Sequence, residues 1–175
     1  MRRGLLALAF VAPLLAGCAN LQREAPPAAQ DGDLRLSGRL SVQVSGRGGD
    51  SAAFELLGSP EAGRLELSTP LGSLVARARW SRAEVLLQTP REERRFEDLD
   101  SLTREMLGEP VPVAALFDWL RGRPWPRAGS QPLEGAAQGF AQLGWQIDLS
   151  RFGDGLIVAN RPAEPAVTLR ARLDP

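Results

Sequence analysis

The segment LRLSGRLSVQV, residues 34–44, alternates apolar and polar side chains with a period of two. Leucine, glycine or valine occupies every even-numbered position, and arginine, serine or glutamine occupies every odd-numbered one. Successive side chains of a strand point to opposite faces of a sheet, so the pattern predicts a long strand with one apolar and one polar face. A sheet that is solvated on one face is typical of antiparallel architecture.

Further segments with the same period follow, separated by turns that contain glycine or proline. They predict strands over residues 52–57, 64–68, 74–80, 85–87, 94–97, 143–149, 156–158 and 167–173. Residues 46–51, GRGGDS, predict a turn, and because no Lys-Ser/Thr pair and no helix follow them, they do not indicate a phosphate-binding loop. The short, regular spacing of these strands predicts an antiparallel meander.

The middle of the chain changes to helical spacing. Apolar residues three or four apart predict a helix over residues 98–107, with Asp98 or Asp100 as its cap. Gly108 is the expected end of that helix. A second helix is predicted over residues 112–121, because proline suits its first turn and a glycine follows it.

These elements define one fold class. About nine to eleven strands and two mid-chain helices indicate a mainly β (α+β) domain built in two layers. We expect one strongly curved antiparallel sheet that forms an incomplete barrel, with its concave apolar face covered by the helices. No internal repeat or domain boundary is visible within residues 34–175.

The first residues of the chain have the organisation of an export signal. Arg2 and Arg3 precede an apolar run over residues 5–15, shorter than the about 20 residues that span a bilayer. The run ends in Leu15-Ala16-Gly17-Cys18, which resembles the lipobox of bacterial lipoproteins, in which the thiol is joined to diacylglycerol. Residues 1–17 are therefore predicted to be a signal peptide that is cut before a lipidated Cys18. The alternative is an ordinary secretory signal followed by a chance cysteine.

The residues after Cys18 predict a link between anchor and domain. Residues 19–33, ANLQREAPPAAQDGD, are rich in alanine, proline and polar side chains and have no sustained period. We interpret residues 18–33 as an acylated cysteine with a flexible tether that spans about 20 Å. Ala19 favours the outer membrane, because an aspartate at that position resembles an inner-membrane retention signal.

Composition excludes several functional classes. Removing residues 1–17 from the 175 leaves 158 residues with 19 arginines and 21 acidic residues, a charge of −2 that gives no footprint for nucleic acid. The chain has no lysine, histidine or tyrosine, which removes Ser-His-Asp triads, Schiff-base lysines and Cys/His zinc sites. The carboxylates at residues 92, 93, 98 and 100 are interpreted as solvated surface and a helix start. We expect no enzyme, no metal site and no cofactor.

The apolar faces of sheet and helices allow two interiors. In one, side chains fill the space and form an ordinary core. In the other, the helices form a loose lid over a cavity that holds an apolar ligand. Periodicity alone favours the packed core and does not separate the two.

Several motifs resemble LolB, the outer-membrane lipoprotein receptor family. The most specific is residues 116–126, LFDWLRGRPWP, and residues 69–72, TPLG, form a weaker turn motif. Residues 106–108, 110–112 and 38–40 also fit that family, so the resemblance covers nearly all of the mature chain. The family often has a helix before the first strand, whereas residues 19–33 are too short and proline-rich for a full one.

The resemblance implies a receptor for acylated lipoproteins. Such a protein accepts cargo from a soluble periplasmic carrier and inserts it into the outer membrane, to which its own lipid anchors it on the periplasmic side. We expect a monomer that needs no cofactor, since the transfer runs downhill. The turn Pro70-Leu71-Gly72 is implied as the membrane-delivery loop, with Leu71 exposed at its tip.

The resemblance also nominates residues for an acyl-binding cavity, although each could equally be packed core. They come from the helices and from two strands: Leu102, Met106, Leu116, Phe117, Leu120, Trp80 and Trp145. Pro124, Trp125 and Pro126 are expected to fix the loop after the lid. Two other functions remain open: an outer-membrane lipoprotein that binds a free lipid or glycolipid, and a structural lipoprotein with a filled core.

Overall fold

The computed structural model describes residues 33–107, 110–134 and 138–175. The predicted signal peptide, Cys18 and Gly108 lie outside the described residues. The described strands are β1 (Leu34–Val44), β2 (Gly48–Gly58), β3 (Gly63–Ser68), β4 (Leu74–Trp80), β5 (Val85–Gln88), β6 (Glu93–Phe96), β7 (Ser130–Pro132), β8 (Gly139–Gln142), β9 (Trp145–Asp148), β10 (Leu156–Arg161) and β11 (Val167–Leu173). The helices are α1 (Leu99–Leu107) and α2 (Val113–Trp119), and a short 3-10 helix covers Phe152–Asp154.

All eleven strands belong to one antiparallel sheet, so the prediction of a mainly β, antiparallel domain is confirmed. The strand order is β6-β5-β4-β3-β2-β1-β11-β10-β9-β8-β7. The only neighbours that are distant in sequence are β1 and β11, which join the first and last strands of the described domain. Strands β6 and β7 are the two edges, so the sheet is not closed. Both helices lie in the chain between those edges.

At Gly38, strand β1 pairs with a strand on each side. Gly38 is opposite Phe54 of β2 and opposite Leu173 of β11. Its φ is 155°, and a Cβ there would lie 2.0 Å from the carbonyl oxygen of Arg172. Only glycine allows this close approach of two backbones. The pairing of β1 with β11 therefore requires glycine at position 38.

Several predicted boundaries were wrong. The predicted turn at 46–51 is shorter, because residues 48–51 pair with the end of β1 and extend β2 to Gly48. The predicted strand over 143–149 begins at Trp145, since Leu143 has a φ of 53° and forms a turn with Gly144. Helix α2 is shorter than the predicted 112–121 at both ends. Strands β7 and β8 were not predicted.

The apolar side chains form two clusters that meet at α2. One cluster contains Trp119 with the inward residues of β8 to β11, and the other contains Phe117 with those of β2, β4 and β5. Leu120 packs against both clusters. Because Ala115, Phe117 and Trp119 are all buried, α2 is a central part of the hydrophobic core. Neither helix has the length or the continuous apolar surface that crossing a membrane requires, within the described part of the chain.

Candidate functional site

An apolar cavity of about 170 Å³ lies between the sheet and the two helices. Five of the nominated residues line it: Trp80, Leu102, Leu116, Phe117 and Leu120. The sheet contributes further apolar side chains, among them Leu40, Val42, Phe54, Leu56, Ala78, Ala159 and Ala171. Among the described residues that line it, Thr103 has the one polar side chain besides the two indole rings, and none of them carries a charge. Such a wall suits hydrocarbon.

Two nominated residues lie elsewhere. Met106 does not line the cavity, and its side chain on α1 is 49% exposed. Trp145 is 2% exposed and packs against Trp119, with ring centroids 6.1 Å apart. Both residues belong to apolar faces in the sequence, and an apolar face does not distinguish an inner wall from the packed layer behind it.

Alanines of the sheet were not among the residues nominated for the cavity. Ala78, Ala159 and Ala171 face inward and leave space that a larger side chain would fill. The only sequence signal is their position in the inward register of β4, β10 and β11. Small residues at those positions separate a cavity from a filled core, and composition alone does not show where they face each other.

An aromatic pair joins helix α2 to the sheet. Trp80 of β4 and Phe117 of α2 meet edge to face, with ring centroids 6.1 Å apart and planes inclined by 77°. The indole Nε1–H of Trp80 donates to the carbonyl oxygen of Ser59 at 2.9 Å. Because this donor is satisfied outside the cavity, only the apolar surface of the ring faces the space.

Gln142 of β8 holds the last residue of α2 and the loop after it. Its Oε1 accepts hydrogen bonds from Nε1–H of Trp119 at 2.8 Å and from the backbone N–H of Trp125 at 2.9 Å. Its Nε2 donates to the carbonyl oxygens of Trp125 and Ala128 at 2.9 and 2.8 Å. The side chain is 3% exposed, and all four of its contacts are made. Gln142 was not predicted as a functional residue, because a single polar residue in a short strand gives no pattern.

An ion pair closes the same loop. The Nε of Arg123 donates to Oδ1 of Asp118 at 2.7 Å, and the backbone N–H of Arg123 donates to the Asp118 carbonyl oxygen at 3.1 Å. Asp118 is 8% exposed, so its carboxylate depends on this partner. Together with Gln142, the pair ties the segment that contains Pro124, Trp125 and Pro126 to the end of α2.

Helix α1 is attached more weakly. Leu102 is its one buried residue. Its start is capped, as predicted for Asp98: the Ser101 backbone N–H donates to Oδ1 of Asp98 at 2.7 Å, and the Asp98 N–H donates to Oγ of Ser101 at 3.2 Å. The hydrogen bond from the Ser101 backbone N–H lowers the pKa of Asp98 most, and the hydrogen bond with the Ser101 hydroxyl lowers it further. Farther along, Thr103 Oγ1 accepts from the N–H of Val111, and Glu105 pairs with Arg94.

The turn between β3 and β4 presents Leu71 to solvent. Its side chain is 95% exposed, more than that of any other large apolar residue described. The turn does not depend on Leu71, since Gly72 N–H donates to the Thr69 carbonyl oxygen at 2.9 Å and Ser73 N–H donates to Thr69 Oγ1 at 3.1 Å. Gly72 has a φ of 82°, which favours glycine. The turn therefore holds an apolar side chain in water with no partner in the described structure.

Comparison with known proteins gives one consistent family. The family model described as "Outer membrane lipoprotein LolB" matches residues 33–170. A protein of Bordetella petrii, named outer-membrane lipoprotein LolB, is 36% identical over 98% of this chain and 90% of its own length. Proteins with the same name from Chromobacterium violaceum and Thiobacillus denitrificans are each 35% identical, over 84% and 87% of this chain and 82% and 85% of their own lengths.

Proposed function

This chain belongs to the LolB family of outer-membrane lipoproteins, and from that premise we propose that it is a receptor that accepts acylated lipoproteins and inserts them into the outer membrane. The observation that carries the proposal is the uncharged apolar cavity between the sheet and the helices. A lipoprotein presents hydrocarbon as its shared feature, and a wall without charges binds hydrocarbon without selecting a particular polypeptide. The role is transfer by binding, with no catalytic step.

The anchor and the location follow from the same premise. Residues 1–17 act as the lipoprotein signal peptide, and acylated Cys18 anchors the protein in the outer membrane with its domain facing the periplasm. Residues 18–33 link this anchor to the first strand, and residues 34–175 form the receptor domain. Its relatives carry the name outer-membrane lipoprotein, which supports this location.

A soluble carrier must bring the cargo. Each buried methylene contributes about 0.8 kcal/mol, so three acyl chains of about fifteen carbons represent on the order of 36 kcal/mol against exposure to water. Cargo does not cross an aqueous compartment unshielded at that cost. We expect the receptor, as a monomer, to bind acyl chains more tightly than the carrier and less tightly than the bilayer. No cofactor is then required for transfer.

The concave face of the sheet and the two helices form the cargo site. An engineered cavity of about 150 Å³ holds one benzene molecule, so a space of about 170 Å³ is too small for acyl chains. The helices must therefore move apart from the sheet when cargo enters. Helix α1, with Leu102 as its single buried residue, is the part that moves, whereas Gln142 and Asp118 hold α2.

The delivery loop is the second functional element. Pro70 and Gly72 shape a turn whose exposed Leu71 inserts shallowly into the membrane and assists release of cargo. Burial of a leucine side chain contributes about 1.5–3 kcal/mol, enough to favour contact with lipid without anchoring the domain there. The turn keeps its hydrogen bonds without the Leu71 side chain, which supports a role outside folding.

The test is transfer of cargo between purified proteins. A carrier–lipoprotein complex is incubated with this protein, and cargo is followed from carrier to receptor and then into liposomes. We expect the cargo to leave the carrier for the receptor and to appear in the liposomes afterwards. A protein that binds free lipid but never removes cargo from the carrier would instead be a lipid or glycolipid binder, and failure to bind an apolar fluorescent probe would indicate a filled core.

A further inference from the structure

The outer face of the sheet carries an arginine cluster at the β1–β11 seam, defined by Arg39, Arg170 and Arg172. Arg39 and Arg172 are direct cross-strand partners, and Arg170 is opposite Ser41 on the same face. All three are exposed. Within residues 33–107, 110–134 and 138–175, none of their guanidinium groups forms an ion pair or a side-chain hydrogen bond. Like charges directly opposite each other destabilise a strand pair, so the fold itself gains nothing from this arrangement.

The other half of the same face is organised differently. Arg64, Arg77, Arg79 and Arg95 each pair with a glutamate at 2.7–3.8 Å, among them Arg77 with Glu66 at 2.7 Å. Two carboxylates of the adjoining segments are engaged elsewhere, since Glu55 pairs with Arg64 and Asp174 accepts from Ser37 Oγ. The charges of these four arginines are therefore balanced by glutamates, whereas the three seam arginines have no such partner among the described residues.

The cluster lies in the same row of the sheet as the Leu71 turn. Arg172 is opposite Arg39, Arg39 is opposite Ala53, and Ala53 is opposite Ser68, the last residue before that turn. Two strand spacings, about 10 Å, separate Arg39 from Ser68. Val75, the second residue of β4, is 44% exposed and lies on the opposite face from the buried Ala76 and Ala78. An apolar tip with an apolar flank thus borders the free arginines.

We propose that the arginine cluster docks on the anionic headgroups of the membrane and sets the orientation in which the Leu71 turn meets the bilayer. The partner is an anionic lipid surface such as phosphatidylglycerol, and the inference rests on the proposed function because it takes Cys18 to be the lipid anchor. Two observations favour a membrane over an acidic protein. The cluster adjoins exposed apolar side chains, the combination that interfacial proteins use, and the chain reaches this seam directly after the tether, since β1 begins at Leu34.

The expected effect is large enough to measure. Each arginine near an anionic surface shifts the balance between docked and undocked protein about fivefold. Loss of all three should lower that balance on the order of 100-fold. The attraction is screened at about 1 M salt, where the Debye length is near 3 Å. Contact made by Leu71 alone would persist at that salt concentration.

The experiment places a fluorophore beside the cluster in the acylated mature protein. Cys18 is the only cysteine of the chain, so Gln43→Cys, at an exposed outward position of β1, provides a single labelling site. The protein is reconstituted into vesicles of phosphatidylcholine with or without phosphatidylglycerol, and energy transfer to a headgroup-labelled lipid is recorded. We expect higher transfer on the anionic vesicles, lost in R39Q/R170Q/R172Q and at high salt. A label at Ala83→Cys, in the turn after β4, should show a smaller change.

A matched triple variant removes the same charge elsewhere. R79Q/R82Q/R95Q should keep the high transfer of the parent protein, because these residues lie on β4, the turn after it and β6. Equal energy transfer on neutral and anionic vesicles overturns the inference. A cluster variant with unchanged energy transfer that no longer takes up cargo from the carrier also overturns it, because the cluster would then bind the carrier. Absence of cargo uptake in the parent protein, with lipid-dependent transfer intact, would instead count against the proposed function alone.

Discussion

Leu71 is a residue whose exposure has no structural purpose in the described chain. Replacement by glutamate should leave the free energy of unfolding within about 0.5 kcal/mol, because the turn is held by Thr69, Gly72 and Ser73. Uptake of cargo from the carrier should also be retained, since the turn is not part of the cavity wall. Delivery to liposomes should fall about tenfold or more, because the contact of an apolar side chain with lipid is replaced by a charge. Rates of uptake and delivery, measured separately, test this.

Leu71→Phe is the matched control for that variant. It keeps an apolar tip on the same turn and should deliver cargo at the parental rate. If Leu71→Glu delivered cargo normally, the turn would have no part in insertion, whatever the cavity does.

Gln142 is a second residue with a sharply defined role. Its replacement by leucine leaves two donors and two acceptors unpaired, at Trp119, Trp125 and Ala128, in a buried place. Each buried unpaired group costs about 1–3 kcal/mol, and partial relaxation makes a loss of about 3–5 kcal/mol the expected result. Urea unfolding followed by tryptophan fluorescence measures it.

Gln146, an exposed residue of β9, provides the comparison for Gln142. Gln146→Leu should change the free energy of unfolding by less than about 0.5 kcal/mol, because its amide makes none of these contacts. A similar small loss for Gln142→Leu would show that water replaces the missing partners and that the loop does not depend on this side chain.

At the scale of elements, periodicity predicted the long strands because each has one face in the core. It began β9 two residues too early, because Leu143 continues the alternation of apolar and polar residues. The φ of Leu143 is 53°, which takes the chain through a turn there. Periodicity missed β7 and β8, whose three and four residues are too few to establish a period. Local pattern records which side of the chain is apolar, and it does not record where the backbone reverses.

The two helices should differ in their response to acid. Hydrogen bonds from the Ser101 backbone and hydroxyl hold the pKa of Asp98 below its ordinary value of 3.8. A lowered pKa means that the cap stabilises α1 fully above the unfolded value, and that this contribution is lost as pH falls through the folded one. Amide hydrogen exchange of α1 should therefore speed up below about pH 4, after correction for intrinsic rates, while α2 stays protected. Asp98 is exposed, so the effect on overall stability is small.

Asp98→Asn separates the titration from the cap. Asparagine still accepts from the Ser101 N–H, so α1 should remain capped, but its protection should no longer depend on acid. An α1 that is as strongly protected as α2 at neutral pH would contradict the assignment of α1 as the helix that moves.

At the scale of the whole molecule, the sequence predicted an apolar interior and most of the large side chains that surround it. It left open whether that interior was filled. The difference depends on where alanines of separate strands face one another and on how far α1 stands from the sheet. Both are properties of the assembled fold, and the free arginines at the β1–β11 seam are too, because residues 39 and 172 meet only when the first and last strands pair.

Filling the cavity should therefore separate stability from function. Ala171 faces inward from β11 between Leu40 and Ile157 and lines the space. Ala171→Leu should raise the free energy of unfolding by about 0.5–2 kcal/mol, because it buries new apolar surface where room exists. Cargo uptake should fall about tenfold, since the added methylenes compete with the acyl chain.

Ala141→Leu, on the outer face of β8, adds the same group away from the cavity and should leave uptake unchanged. Urea unfolding and the carrier-to-receptor transfer assay measure the two quantities on the same proteins. Greater stability with normal uptake in Ala171→Leu would mean that acyl chains bind outside this space. Lower stability in that variant would mean that the space closes in solution, because a side chain added to a filled core forces its neighbours apart.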